Sequence, residues 1–191
     1  MEAFLQTLLP RILPEGATFG IYVFQGKYNL LTKLQNRLRG YANWMPENYR
    51  VVVVIDCDSN DCRKLKEQLE AVAVKSGLVT RSQAGSDTWQ VVNRIAVEEL
   101  EAWYFGDWEA VCSAYRRVSP RIPNQARYRD PDAIRGGTWE AFERIMKRHG
   151  YFGGGLSKMQ AANAIAEGID PARSRSSSFR VFHAALRAVF V

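Results

Sequence analysis

The chain has 191 residues, 47% of them hydrophobic and 24% charged, with a formal net charge of +6. That length suits one domain with a core of real size. No apolar run approaches the roughly 18 residues that span a bilayer, and Met1 to Leu13 lacks the basic head and cleavage site of a leader peptide, so a membrane protein is excluded and a cytoplasmic location is expected.

The charge is unevenly spread. Residues 1–115 hold 12 Lys/Arg against 14 Asp/Glu, and residues 116–191 hold 14 against 6. An acidic front followed by a basic back suits a protein that grips a polyanion and acts on it near acidic groups; a merely soluble basic surface is the plainer alternative. Cys57, Cys62 and Cys112 show no zinc spacing, and His149 and His183 lie far from them, so reduced, partly buried thiols are expected.

In chain order, Leu5, Leu8, Leu9 and Ile12 recur at helical spacing, with Pro10 and Pro14 bracketing the helix end. Thr18 to Phe24 alternates as a strand. A basic helix is expected from Lys27 to Arg39, turning Leu30, Leu31, Leu34 and Leu38 inward and Lys33, Arg37 and Arg39 outward. Tyr41 to Pro46 reads as a loop with two large aromatics.

Val51 to Ile55 is a run of β-branched residues typical of a strand buried on both faces, and it ends in Asp56-Cys57-Asp58. Ser59, Asn60 or Asp61 can cap the helix that Leu65, Leu69 and Val72 mark. Ligands collect beyond the carboxyl ends of such strands, and two carboxylates placed there call for a divalent cation. The plainer alternative is that Asp58 caps the helix while Asp56 ends the strand. The helix carries Arg63–Glu67 and Lys66–Glu70 spacings that favour an exposed outer face, and Arg81 to Thr88 reads as a mobile surface loop.

Trp89 to Val97 is a second buried-looking strand, running into Glu98-Glu99-Leu100-Glu101. Extended backbone aligns Glu99 with Glu101, and helical backbone aligns Glu98 with Glu101. Either way a carboxylate pair stands at a strand end; the alternative is that these acids favour a helix's first turn through its dipole.

Trp108 to Tyr115 continues as helix, and Arg116 to Pro131 reads as a loop with Arg127 and Arg129 flanking Tyr128, a combination suited to phosphate and base contacts. Thr138 is the expected cap of a helix that His149-Gly150 ends. The glycines Gly153 to Gly155 lack the lysine and hydroxyl of a phosphate loop. Ser157 and Gln160 form a capping box, and Lys158 in that first turn is electrostatically misplaced unless it faces an anion. Arg173 to Ser178 is a basic connector, and in the apolar last helix His183 reads as a core residue.

Several stretches carry a resemblance: Leu9-Pro10-Arg11-Ile12-Leu13-Pro14-Glu15-Gly16, Arg37-Leu38-Arg39-Gly40-Tyr41, the acids Asp56, Asp58 and Asp61, Asn93 to Trp103, Asp130 to Ile134, and Gly154-Gly155-Leu156-Ser157-Lys158. Over nearly its whole length the chain resembles a family of small bacterial proteins of unknown function with a TOPRIM-like fold, often encoded beside ABC/AAA-type ATPases in arrangements linked to phage defence. The resemblance implies a TOPRIM-like Rossmannoid α/β sheet over residues 1–115, with a helical, basic part over 116–191 packed on it as one structural unit. It also implies Mg²⁺-dependent phosphodiester chemistry, with Asp56 and Asp58 matching the family's Asp-x-Asp. TOPRIM enzymes add a glutamate from a strand ahead of the opening helix. The sequence here opens on that helix with Met1-Glu2-Ala3-Phe4, so either the true start lies upstream or part of the metal site and a strand of the sheet have been lost, and Glu2 is no evident substitute.

Three functions are therefore weighed. The first is a metal-dependent nuclease. Its catalytic acids would be Asp56, Asp58, Glu99 and Glu101. Mg²⁺ or Mn²⁺ would sit on Asp56, Asp58 and Glu99, and nucleic acid on Arg127, Arg129 and Lys158. The second is a non-catalytic module that docks on an ATPase partner, to which exposed Trp44, Trp103 and Trp108 would contribute. The third, a haloacid-dehalogenase-type phosphatase with Asp56 as nucleophile and Asp58 as acid, suffers from Asn60 at a position where that chemistry wants Thr or Val.

Overall fold

The computed structural model describes residues 1–58, 61–84 and 88–190. Ser59 and Asn60, two of the three candidate caps, and positions 85–87 of the expected surface loop lie outside the described residues. At the centre are two parallel strands, β1 (Val51–Asp56) and β2 (Val91–Ala96), in register from Val51 opposite Val91 to Asp56 opposite Ala96. The protein is thus mixed α/β with a small parallel sheet.

The N-terminal helix α1 spans Glu2–Ile12 and buries Phe4, Leu5, Leu8 and Leu9; Pro10 lies inside it, not beyond its end. Helix α2 (Gly26–Trp44) runs past Gly40 through the expected loop, burying Leu30, Leu34 and Leu38. One helical glycine costs only about 1 kcal/mol, less than the apolar stripe returns. Helix α3 (Cys62–Lys75) supplies the crossover between the strands, capped by Asp61, whose side chain accepts from the amides of Arg63 and Lys64. The Lys66–Glu70 pair faces β2 instead of solvent: Lys66 Nζ also donates to the Asn93 carbonyl, and Asn93 Nδ2 donates to Glu70. The short α4 (Arg81–Ala84) follows.

After β2 come α5 (Glu101–Gly106), α6 (Trp108–Ala114), three short 3-10 turns between Ile122 and Ala133, then α7 (Thr138–Arg148), α8 (Lys158–Ala166) and α9 (Ser177–Arg187). Helix α5 is buried on every side. Trp103 stacks with Phe182 at 5.0 Å and meets Phe179 edge-on at 5.1 Å, while Phe105 stacks on Trp108 and Tyr128 at 5.1 and 5.3 Å. Trp103 and Trp108 are 1% and 5% exposed, so neither belongs to a docking surface; Trp44, at 61%, is the exposed tryptophan of the three.

The basic connector before α9 is structural. Asp107 receives Arg173 through two hydrogen bonds of 3.0 Å, and Asp132 accepts from Ser176 and Ser178. Gly106 permits this close approach, since a Cβ there would stand 2.9 Å from Ser174 Oγ and Ser176 Cβ.

Two further expectations are corrected. Thr18 to Phe24 joins no sheet, and among the described residues its amides from Thr18 to Val23 make no backbone hydrogen bond. Between it and β1 lies a groove of about 1140 Å³, lined by Leu5 and Leu9 of α1, Leu30, Leu34 and Leu38 of α2, and β1 itself. β-Propensity makes a strand only where a neighbouring edge is within hydrogen-bonding reach. For the same reason β1 is not buried on both faces: Val53 and Ile55 are buried, Val52 and Val54 only partly. Second, Cys57 and Cys62 form a disulfide, their Cα atoms standing 5.7 Å apart, within bridging range. Cys112 is a free thiol.

Candidate functional site

The carboxyl ends of β1 and β2 lie side by side and continue as paired loops: the Cys57 amide donates to the Ala96 carbonyl at 2.9 Å and the Asp58 amide to the Glu98 carbonyl at 2.7 Å. This hydrogen bonding carries the two acid-bearing segments to one rim. Both turn sharply there, with Asp58 at φ +49° and Glu98 at φ +61°, a backbone region that L-residues enter at some cost.

Asp56, Glu99 and Glu101 line one cavity of about 280 Å³, together with Tyr104 and Lys158. Asp56 Oδ1 is buried and, among the described residues, has no hydrogen-bond partner. Burial raises the Asp56 carboxyl to about 6, against a counter-pull from the chain's amino terminus and, more weakly, Lys158, and with repulsion from Asp58 and Glu99. Burial likewise raises Glu101 to about 7, against a counter-pull from Lys158 and with repulsion from Glu99 and Asp56. Burial, with repulsion from Glu101 and Asp56, holds the Tyr104 hydroxyl well above its ordinary value. Two carboxyls that resist ionisation within one cavity are the arrangement expected of an acid–base or cation-holding site.

The other two acids are engaged. Asp58 is exposed and pairs with Lys27 at 2.6 Å, and Lys27 Nζ also donates to the Cys57 carbonyl at 2.7 Å. Its side chain borders the larger groove, not the small cavity. Glu99 Oε2 accepts from Thr138 Oγ1 and the Trp139 amide, both at 3.0 Å, and so ties down the start of α7. Gly137, not Thr138, occupies the cap position of that helix.

Lys158 faces the acids, as its misplaced charge in the first turn of α8 suggests. Its ammonium lies 4.5 Å from the Trp139 ring centroid, a cation–π contact that holds it in place. Ser157 is the cap of α8 but makes no side-chain cap bond. Arg127 lies over the Tyr128 ring, away from the cavity lining, and Arg129 is exposed on the same turn; neither joins the acidic rim. Lys27, Tyr104 and Trp139 escaped the sequence reading. Lys27 left one signal, a lysine directly after a glycine and ahead of an apolar stripe, and the other two left none.

Among the described residues no three Asp, Glu, His or Cys side chains are grouped to hold a metal ion by themselves. The donors present do fit a sparser arrangement: Mg²⁺ is commonly held by one or two carboxylates, with substrate phosphate and water completing its shell. Asp56, whose buried Oδ1 has no hydrogen-bond partner among the described residues, and the neighbouring Glu101 are such a pair. Among the described residues no helix is long and apolar enough to cross a membrane.

No curated protein and no solved structure matches the chain. One protein family does, over residues 1–187, and the chain belongs to it: DUF4276, a domain of unknown function.

Proposed function

We propose that the small acidic cavity is a phosphodiester-hydrolysing site acting on nucleic acid, in a TOPRIM-like setting with Mg²⁺ or Mn²⁺. One observation carries the reading: a buried carboxylate oxygen of Asp56 with no partner among the described residues, in a cavity shared with Glu101 and Lys158. A bare carboxylate pair repels a phosphodiester, so a cation has to mediate between them. Asp56 and Glu101 would hold that cation, which when bound polarises a phosphoryl oxygen and lowers the pKa of water. Lys158, braced on Trp139, attracts the phosphate into the cavity. Glu99 keeps the α7 end of the cavity in register through Thr138 and Trp139. The basic excess after residue 116 supports a polyanionic substrate. The ABC/AAA-type ATPase partner implied by the resemblance, and a role in phage defence, are carried forward as part of the proposal.

The test is cleavage of labelled DNA and RNA with and without Mg²⁺ or Mn²⁺. Cleavage should require metal and fall at least 100-fold in Asp56→Ala and in Glu101→Gln. Undiminished cleavage by Asp56→Ala would remove the site from consideration. A second reading, a non-catalytic binding module, is favoured by the ion pair that occupies Asp58 and the hydrogen bonds that occupy Glu99. Calorimetry separates the two: no heat with millimolar Mg²⁺ and substrate analogue would favour the module.

A further inference from the structure

Away from the acidic rim, α2 carries a second feature. Its 19 residues contain Lys27, Lys33, Arg37 and Arg39 and no acid. Lys33, Arg37 and Arg39 are exposed, and among the described residues none of these three forms a salt bridge. Arg37, Tyr41 and Trp44 follow one another at i, i+4 and i+7, on one helical face. Tyr22 of the segment between α1 and α2 joins them. The Arg37 guanidinium lies 4.2 Å over the Tyr22 ring, Tyr22 meets Tyr41 edge-on at 6.3 Å, and Tyr41 meets Trp44 edge-on at 5.7 Å. Tyr22 and Trp44 are each 61% exposed. Tyr41 packs in part against the core that holds Leu34 and Leu38, while Tyr22 and Trp44 keep most of their surface open, so packing does not account for the whole ladder.

We infer that this arginine–aromatic ladder is a binding surface for single-stranded nucleic acid. Unpaired bases stack on aromatic faces without regard to sequence, and flanking Lys and Arg neutralise the backbone. A duplex keeps its bases covered and gains only the electrostatic part. A folded protein partner would not call for Arg37, which forms no salt bridge among the described residues, to lie over a ring of the same ladder. Lys27, paired with Asp58, and Trp44 stand at opposite ends of α2 and about 26 Å apart at the helical rise, so a strand of roughly eight nucleotides reaches from the ladder to the acidic rim. The inference takes the class of ligand from the nucleic-acid reading above, and none of its chemistry.

The test is fluorescence anisotropy with a fluorescein-labelled twelve-nucleotide oligothymidylate, in EDTA so that no cleavage enters. Saturable binding is expected, with quenching of tryptophan emission. Affinity should fall about tenfold in Trp44→Ala and in Tyr41→Ala, and Arg37→Ala should weaken binding with a shallower salt dependence. Circular dichroism should be unchanged in Trp44→Ala, whose side chain is exposed. The inference is overturned if no saturable binding is seen up to roughly 100 µM, if Trp44→Ala binds as tightly as the parent, or if a duplex of equal length binds as well as the single strand. Saturable single-strand binding by a protein without metal-dependent cleavage would fail the nuclease reading alone, and metal-dependent cleavage lost in Asp56→Ala without such binding would fail this inference alone.

Discussion

The two sides of the molecule are built differently. Behind the sheet, α5 is wrapped by α6, α7, α9 and the turns near Tyr128, with Trp103, Tyr104, Phe105 and Phe142 at 1% exposure or less. In front, β1 borders a groove of about 1140 Å³, and Phe19, Tyr22 and Val23 of the facing segment are exposed. The closed side holds the fold together, and the open side presents surface. The acids straddle the seam: Asp56 rides on β1, while Glu99 and Glu101 are mounted at the start of α5. A rim assembled this way inherits rigidity from the core and access from the front.

The largest effect should come from breaking the closed side. Phe142→Ala removes a ring with 0% exposure that touches Tyr104, Phe105 and Trp108. A loss of about 3–5 kcal/mol in chemical denaturation is expected. A loss below about 1 kcal/mol would mean this core is not the source of stability.

Next comes the seam. A carboxyl raised by folding binds more protons folded than unfolded, so stability falls as pH rises from about 4 toward the raised value and stays reduced above it. For Asp56 that window closes at about 6, and for Glu101 at about 7. Asp56→Asn and Glu101→Gln should therefore each stabilise the protein at pH 8 by on the order of 2 kcal/mol, and change little at pH 3.5. Less than the sum is expected for the double variant, since Asp56 contributes to raising Glu101. Denaturation at the two pH values in EDTA checks this; destabilisation at pH 8 would mean both groups are satisfied there as ions.

The smallest effect is on exchange. Amides from Thr18 to Val23, without backbone partners among the described residues, should exchange far faster than those of Val91–Ala96 in hydrogen–deuterium measurements. Equal protection would contradict the open front.

The sequence revealed elements whose cause is local. The run from Val51 to Ile55 could hardly be anything but a strand, and the spacing of Leu30, Leu34 and Leu38 marks the buried face of α2. It also placed both acid groups at strand ends, because strand length and turn onset are local. Partnership was hidden. Thr18 to Phe24 alternates like a strand, yet its pairing depends on an edge elsewhere in the chain. Cys57 bonds Cys62 across five positions, and Lys27 finds Asp58 across 31. Trp103 and Trp108 resemble surface aromatics until α5 is seen enclosed on all sides. Asp58 and Glu99 share composition and location with Asp56 and Glu101, and only the neighbouring Lys27 and Thr138 distinguish them.

The central claim is that Asp56 and Glu101 share one poorly solvated cavity, and carboxyl-carbon NMR titration of the metal-free protein tests it most directly. The expected result is two interacting titrations near 6 and 7, with the Glu101 midpoint moving down in Asp56→Asn as one source of repulsion is lost. Two independent titrations near 4, unmoved by that substitution, would contradict it.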